Sequence, residues 1–210
     1  MIGIVDYGLG NVQAFANIYR RLGISAEPVR NELELAAADR LILPGVGAFD
    51  WAMERLEGSG MLDMLNRRVL VDRVPVLGVC VGMQMMARRS QEGSRAGLGW
   101  IAADVMRFDT AGFAQRTHLP HMGWNDVTPM EHDSIFQGLV DPQFYFLHSY
   151  FVQPDDGADT LARTTYGTTF ASAIRSRNIV ATQFHPEKSH HWGVRLLQNF
   201  AEVDLCSVHA

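Results

Sequence analysis

The stretch Val76-Leu77-Gly78-Val79-Cys80-Val81-Gly82-Met83-Gln84 limits the fold of this chain more than any other. An apolar run from Val74 to Val79 reads as a short buried strand, and Met83 to Arg89 reads as the start of a helix. Between them lies Gly-x-Cys-x-Gly, the pattern of a strand-to-helix elbow with a nucleophile at its tip. So sharp a turn strains the tip residue and presses strand and helix together. Gly78 and Gly82 suit it because neither carries a Cβ to collide with a neighbour. A helix that follows directs its first N–H groups at the sulfur, a setting that activates a thiol. The plain alternative is a buried structural cysteine packed as a small hydrophobe. Glycines on both sides of Cys80, and the change from strand to helix, favour the nucleophile.

An elbow of this kind belongs in an α/β sheet, and the first half of the chain reads that way. Ile2–Val5 is a strand, and a glycine-rich turn over Asp6–Asn11 leads to a helix from Val12 to Leu22 with Asn11 as its cap. Gly23 ends that helix. Strands over Ile24–Val29 and Arg40–Leu43 alternate with helical stretches at Glu32–Ala37, Asp50–Leu56 and Met61–Val71. Such alternation predicts a parallel, doubly wound sheet. The second half changes character. Gln91–Gly99 is a polar loop, and Val105–Phe108 and Phe144–Val152 read as strands. Leu161–Thr165, Thr169–Arg175 and Ile179–Phe184 suggest an antiparallel extension, and a helix over Val194–Ala201 follows. No linker or internal repeat interrupts the 210 residues, which read as one domain.

Composition narrows the partners. A net charge of −5 argues against nucleic acid as a main ligand. No apolar run approaches the ~18 residues of a membrane span, and the N-terminus lacks the basic start of a signal peptide. Cys80 and Cys206 lie far apart in sequence, so a disulfide framework is not expected and a reducing, cytoplasmic setting is.

A thiol nucleophile needs a base, and the base needs an orienting group. Of the eight histidines, His185 stands out in Gln183-Phe184-His185-Pro186-Glu187, at the end of an apolar strand. Pro186 disfavours a helical His185, and in an extended segment Glu187 shares its face. Glu187 is thereby placed to fix the ring's tautomer. The bland reading is a surface histidine before a charged turn. His148 lacks a carboxylate two positions away and reads as a pocket or core histidine. His190 and His191 show no metal-ligand spacing, and Gly8-Leu9-Gly10 lacks the third glycine of a dinucleotide fingerprint because position 13 is Gln. Backbone donors for an oxyanion are expected from Val81, the residue after the nucleophile, and from Pro44-Gly45-Val46-Gly47. That loop equally fits a plain tight turn.

The segments Gly78–Gln84, His185-Pro186-Glu187 and Pro44–Gly47 together resemble the class I glutamine amidotransferases with a Cys–His–Glu triad. Asp6–Asn11, Pro44–Phe49, Pro120-His121-Met122-Gly123-Trp124-Asn125, Tyr145–Tyr150 and Gln183–Ser189 are similar to the glutaminase subunits of imidazole glycerol phosphate synthase. The resemblance runs from the first strand to Asn199-Phe200, and Pro120–Asn125 is its most specific motif. It implies a flavodoxin-like α/β fold: a mostly parallel central sheet flanked by helices, with an antiparallel extension in the second half. It implies a single glutamine amidotransferase domain over residues 1–210, and neither cofactor nor metal. Cys80 would attack the glutamine side-chain amide, with His185 moving the proton and Glu187 orienting it. Gly45, Val46 and Val81 would form the oxyanion hole, the Gly45-Val46 peptide flipping to do so. Gly47, Gln84, His148, Ser149 and Tyr150 would contact glutamine. Trp124, Asn125, Tyr145 and Lys188 match interface and ammonia-gate positions toward a (β/α)8-barrel cyclase that makes imidazole glycerol phosphate and AICAR in histidine biosynthesis. For Trp124 and Tyr145 core packing is the alternative.

Val81 stands where Leu is common, and Leu119 where Val is. Gly97–Ile101 and Ser189–Gly193 look similar to a paralogous branch that feeds a sugar amidotransferase in surface-polysaccharide synthesis. That acceptor is one alternative. A stand-alone cysteine hydrolase or peptidase and a non-catalytic module are others.

Overall fold

The computed structural model describes residues 1–112, 118–130, 134–203 and 205. Cys206, His132 and His209 lie outside them. The chain begins β1 (Ile2–Val5), α1 (Val12–Leu22), β2 (Ala26–Val29), α2 (Glu32–Ala36), β3 (Arg40–Gly45), α3 (Phe49–Gly58), α4 (Leu62–Asn66). A wider π turn over Arg67–Val71 follows, then β4 (Val76–Cys80) and α5 (Val81–Met85). Next come β5 (Ala103–Arg107), β6 (His121–Asp126), β7 (Thr128–Pro129), β8 (Gln143–His148) and β9 (Tyr150–Pro154). The remaining elements are β10 (Thr160–Tyr166), β11 (Thr168–Ser176), β12 (Ile179–Thr182) and α6 (His190–Glu202).

The main sheet runs β2-β1-β3-β4-β12-β11-β10-β7. Its strands are parallel from β2 through β12 and antiparallel from there outward. β1, β4 and β12 are buried along their whole length, as their unbroken apolar runs require. Tyr19 on α1 donates to Leu197 O on α6 at 3.0 Å, which ties these two helices together. Phe144, Phe146, Phe184 and Phe200 are fully buried among the aliphatic strand residues. Each such ring adds roughly 1.5–3 kcal/mol of hydrophobic stabilisation.

Register places the site. Gly45 on β3 pairs with Cys80 on β4, and Thr182 on β12 pairs with Val79. The carboxyl ends of three neighbouring parallel strands therefore converge, where open α/β sheets bind ligands.

Several local expectations are corrected. Asn11 makes no side-chain cap for α1, whereas Asn31 does cap α2 by accepting from Glu34 N at 2.9 Å. Pro44 does not stop its strand, which continues to Gly45. The helix after Cys80 ends at Met85 rather than Arg89. Its last carbonyls, and the ones that follow, are claimed by the next loop. Met85, Met86, Ala87 and Arg88 accept from Leu98, Ile101, Gly99 and Gly97 N–H groups at 2.7 to 3.1 Å. The single strand expected over Phe144–Val152 is two, broken at Ser149. β8 pairs with β6, and β9 pairs with β5.

Candidate active site

Cys80 ends β4 with φ 55° and ψ −112°, a conformation that strains a residue with a side chain. The glycines around it permit close backbone approach. A Cβ on Gly82 would lie 1.9 Å from Leu43 O, and one on Gly45 would lie 2.3 Å from Gly82 N. The elbow is thus pressed against the end of β3, and Cys80 itself is buried.

His185 follows β12. Its N–H donates to Tyr145 O at 2.9 Å, which fastens it to β8. Ser189 locks the same corner by donating to His185 O at 2.6 Å and accepting from Tyr145 N at 3.0 Å. His185 Nδ1 meets Glu187 Oε1 at 2.9 Å, and both side chains are buried. The contact comes about differently from the extended geometry expected. Pro186–Lys188 form a 3₁₀ turn that folds Glu187 back onto the ring. Burial opposes charge on His185, but hydrogen bonds to Cys80 and Glu187, and the charge of both, outweigh it and push the ring up to about 10.

A cavity of about 330 Å³ opens over Cys80. It brings together Val46, Gly47, Val81, Gln84, His148, Ser149, Tyr150, His185 and Lys188, all singled out in the sequence. Gly45 and Glu187 do not line it; Gly45 lies against the elbow and Glu187 behind the imidazole. Trp124, Asn125 and Tyr145 stand off it as well. Trp124 is 44% exposed and stacks on His190 at 5.1 Å, so it is not core packing. It meets Tyr145 edge-on at 6.4 Å, and Lys188 Nζ lies 5.8 Å from the Tyr145 ring centre. Lys188 therefore joins the cavity wall to an exposed aromatic face.

Glu92, Pro120 and Leu147 also line the cavity; Pro120 and Leu147 belong to quoted motifs without a site role, and Glu92 was not singled out. Glu92 Oε2 accepts from Phe49 N at 2.8 Å, at the start of α3. The polar loop that carries Glu92 gave no sequence signal beyond its polarity. The floor is polar and ordered. Gln84 Nε2 donates to Tyr150 O at 3.1 Å and to Gln183 Oε1 at 3.2 Å, and Gln183 Nε2 reaches Cys80 Sγ at 3.8 Å. His148 is unsuited to act as a base. Its Nδ1 holds Tyr150 O at 2.8 Å and its Nε2 meets His121, while burial pushes it down to about 3.

Among the described residues no group of three or more His, Cys, Asp or Glu side chains is placed to hold a metal. No helix among them is long and apolar enough to cross a membrane.

Residues 3–203 match the family model for class-I glutamine amidotransferases. The imidazole glycerol phosphate synthase subunit HisH of Bdellovibrio bacteriovorus is 52% identical over 97% of this chain and 100% of that protein. The HisH subunit of Leptospira interrogans is 46% identical over the same shares of the two chains. A subunit named HisH 2 in Pseudomonas aeruginosa is 43% identical, again over 97% and 100%. A crystal structure of a glutamine amidotransferase superimposes with a TM-score of 0.73 at 22% identity, covering 96% of this chain and 99% of that one. A glutamine amidotransferase from Thermotoga maritima gives 0.63 at 16% identity, over 96% and 82%. Both superpositions speak for the fold.

Proposed function

The chain belongs to the class-I glutamine amidotransferases, and within them to the HisH subunits of imidazole glycerol phosphate synthase, and from that premise we propose that Cys80, His185 and Glu187 split glutamine to glutamate and ammonia. The observation that carries this is the His185–Glu187 contact of 2.9 Å, with His185 and Cys80 lining the same cavity.

The steps follow from the geometry. Cys80 Sγ attacks the side-chain amide carbon with its proton already on His185, whose ring is pushed up to about 10. The tetrahedral oxyanion is held by the Val81 N–H and by the Gly45-Val46 peptide turned toward it. Gly47, at φ 87°, gives that peptide room to turn. The C–N bond breaks as His185 returns the proton to the departing nitrogen, and ammonia leaves a thioester. Water, deprotonated by His185, then releases glutamate and regenerates the thiol. Glu187 keeps the ring aimed throughout. Gln84 and the His148–Tyr150 backbone hold the amino-acid end of glutamine. Glu92, the acidic side chain of the cavity wall, complements its ammonium group.

Ammonia leaves past Lys188 toward Trp124, Tyr145 and Asn125. Met122 and Trp124 on β6, with Leu147 and Val46 nearby, form an exposed apolar face of 37% to 61% exposure at individual residues. Such a face suits a permanent partner, here the (β/α)8-barrel cyclase subunit of the synthase, which uses ammonia to form imidazole glycerol phosphate and AICAR. The HisH relatives all carry the synthase name, which supports this acceptor over a sugar amidotransferase.

The test uses the chain assembled with its cyclase. Cys80→Ala is expected to abolish glutamate release and leave synthesis from added ammonium salt intact. Glutamate release by the variant would remove Cys80 from the reaction.

A further inference from the structure

His121 belongs to the Pro120–Asn125 motif, yet it takes no part in the steps of glutamine cleavage. It is 2% exposed, its ring stacked at 20° on both Phe146 and Tyr166, with centroids 4.6 and 3.9 Å away. The hydrogen bonds around it admit one proton arrangement. Tyr150 O only accepts, so His148 Nδ1, 2.8 Å away, carries the proton. His148 Nε2 is then an acceptor, and His121 Nδ1 donates to it at 3.0 Å. His121 Nε2 is left as an acceptor and takes Asn125 Nδ2 at 3.1 Å. The second amide hydrogen of Asn125 goes to Thr165 O at 3.0 Å, and its Oδ1 accepts from Asp126 N at 2.8 Å. Every polar atom of both rings has a partner, and all bonds of the chain point from Asn125 toward the cavity. At Tyr150 O the chain meets the Gln84–Gln183 bonds that lead to Cys80 Sγ.

We propose that His121 is a positioning residue, which holds the glutamine-binding turn His148-Ser149-Tyr150 in place through this one-directional hydrogen-bond chain from Asn125. The inference rests on the glutaminase reading. The turn depends on such a brace because it joins two separate ladders, β6–β8 and β5–β9. Both histidines stay neutral near pH 7, which the chain requires. Burial pushes His121 down to about 4, and burial with the nearby His121 charge pushes His148 down to about 3. The titratable groups facing the pair are Tyr166, stacked on His121, and His185, whose charge reaches His148; Phe108, Phe146 and Phe170 supply apolar walls. A proton on either ring would set two donors against each other or against the Asn125 amide.

The experiment uses the assembled synthase. His121→Phe keeps the aromatic stack and removes both nitrogens. Expected is a rise of about tenfold in the glutamine KM, the loss of a buried hydrogen-bonded brace, with kcat at saturating glutamine within about threefold and ammonia-dependent synthesis unchanged. Asn125→Asp offers His121 an acceptor where it had a donor, so Nε2 must take a proton. Its glutamine KM should then titrate between about pH 6 and 8, where that of the unaltered synthase is flat. An unchanged KM in His121→Phe, equal losses of glutamine- and ammonia-dependent turnover, or a flat KM profile in Asn125→Asp would each overturn the proposal. If His121→Phe does not fold, the Asn125→Asp profile decides. Retention of glutamine hydrolysis by Cys80→Ala would instead locate the fault in the glutaminase reading.

Discussion

Glu187 meets His185 through Oε1 alone, while its Oε2 is buried with no hydrogen-bond partner among the described residues. A carboxylate so placed directs nearly all its charge at one imidazole, and that charge helps to hold the ring proton. Glu187→Gln keeps the shape and removes the charge. Its His185 should titrate closer to the ordinary 6.5, and kcat for glutamine should fall on the order of 100-fold or more, since the orienting group of a triad fixes the tautomer. The pH profile of Cys80 alkylation and steady-state kinetics measure the two effects. This pair was legible in the sequence because its two members are joined by a single proline and the contact is local. Glu92 was not legible. It reaches the cavity only because the loop after Arg89 folds back and its carboxylate holds Phe49 N, a contact between residues 43 positions apart. Nothing near Glu92 in sequence encodes that distance.

Elements show the same division between local and remote causes. α1 was readable to its end residues, since periodicity and Gly23 are local signals. The early end of α5 was not, because the groups that claim its carbonyls arrive from residues 97–101. The break at Ser149 was hidden too, as an aromatic run does not disclose that its halves pair with different strands. β6 was noticed as a motif and not as a strand, since His-Met-Gly-Trp-Asn does not alternate cleanly. One remote brace can be tested by itself. Asn178, buried at the β11–β12 turn, donates to Val69 O at 3.0 Å and Val74 O at 2.9 Å, joining the π turn to the start of β4. Asn178→Ala strands two carbonyls, and the expected cost is about 2–3 kcal/mol. Urea denaturation should show it as a lower midpoint with unchanged slope, while the glutamine KM stays as it was, because the turn lies at the opposite end of β12 from His185.

The whole molecule couples these histidines to its stability. His121 and His148 sit below the free value of 6.5, so what they contribute is complete above that pH and is lost as pH falls toward about 4 and about 3. His185 sits above it, so its contribution is complete below 6.5 and is lost as pH rises through about 10. The two limbs have opposite signs and meet near the ordinary histidine value. Urea midpoints measured from about pH 4 to 9 should therefore peak near neutrality and decline on both sides, and His121→Phe should flatten the acid side alone. At this scale the sequence disclosed the parallel half, the antiparallel extension and the elbow. Strand order was beyond it, because β12 reaches its place beside β4 only after some hundred intervening residues have formed other elements.

That pairing also has a consequence in time. Gln183, against Cys80 Sγ in the finished protein, lies 103 positions further along the chain. At synthesis rates of about 5–20 residues per second, the elbow leaves the ribosome roughly 5–20 seconds before His185 and Glu187 do. β4 must wait that long for one of its two neighbours, and the thiol spends the interval without its base. On the proposed mechanism, a growing chain lacks its complete set of Cys80, His185 and Glu187 until residue 187 has been translated. On the proposed mechanism, fragments that end before residue 185 are expected to release no glutamate from glutamine.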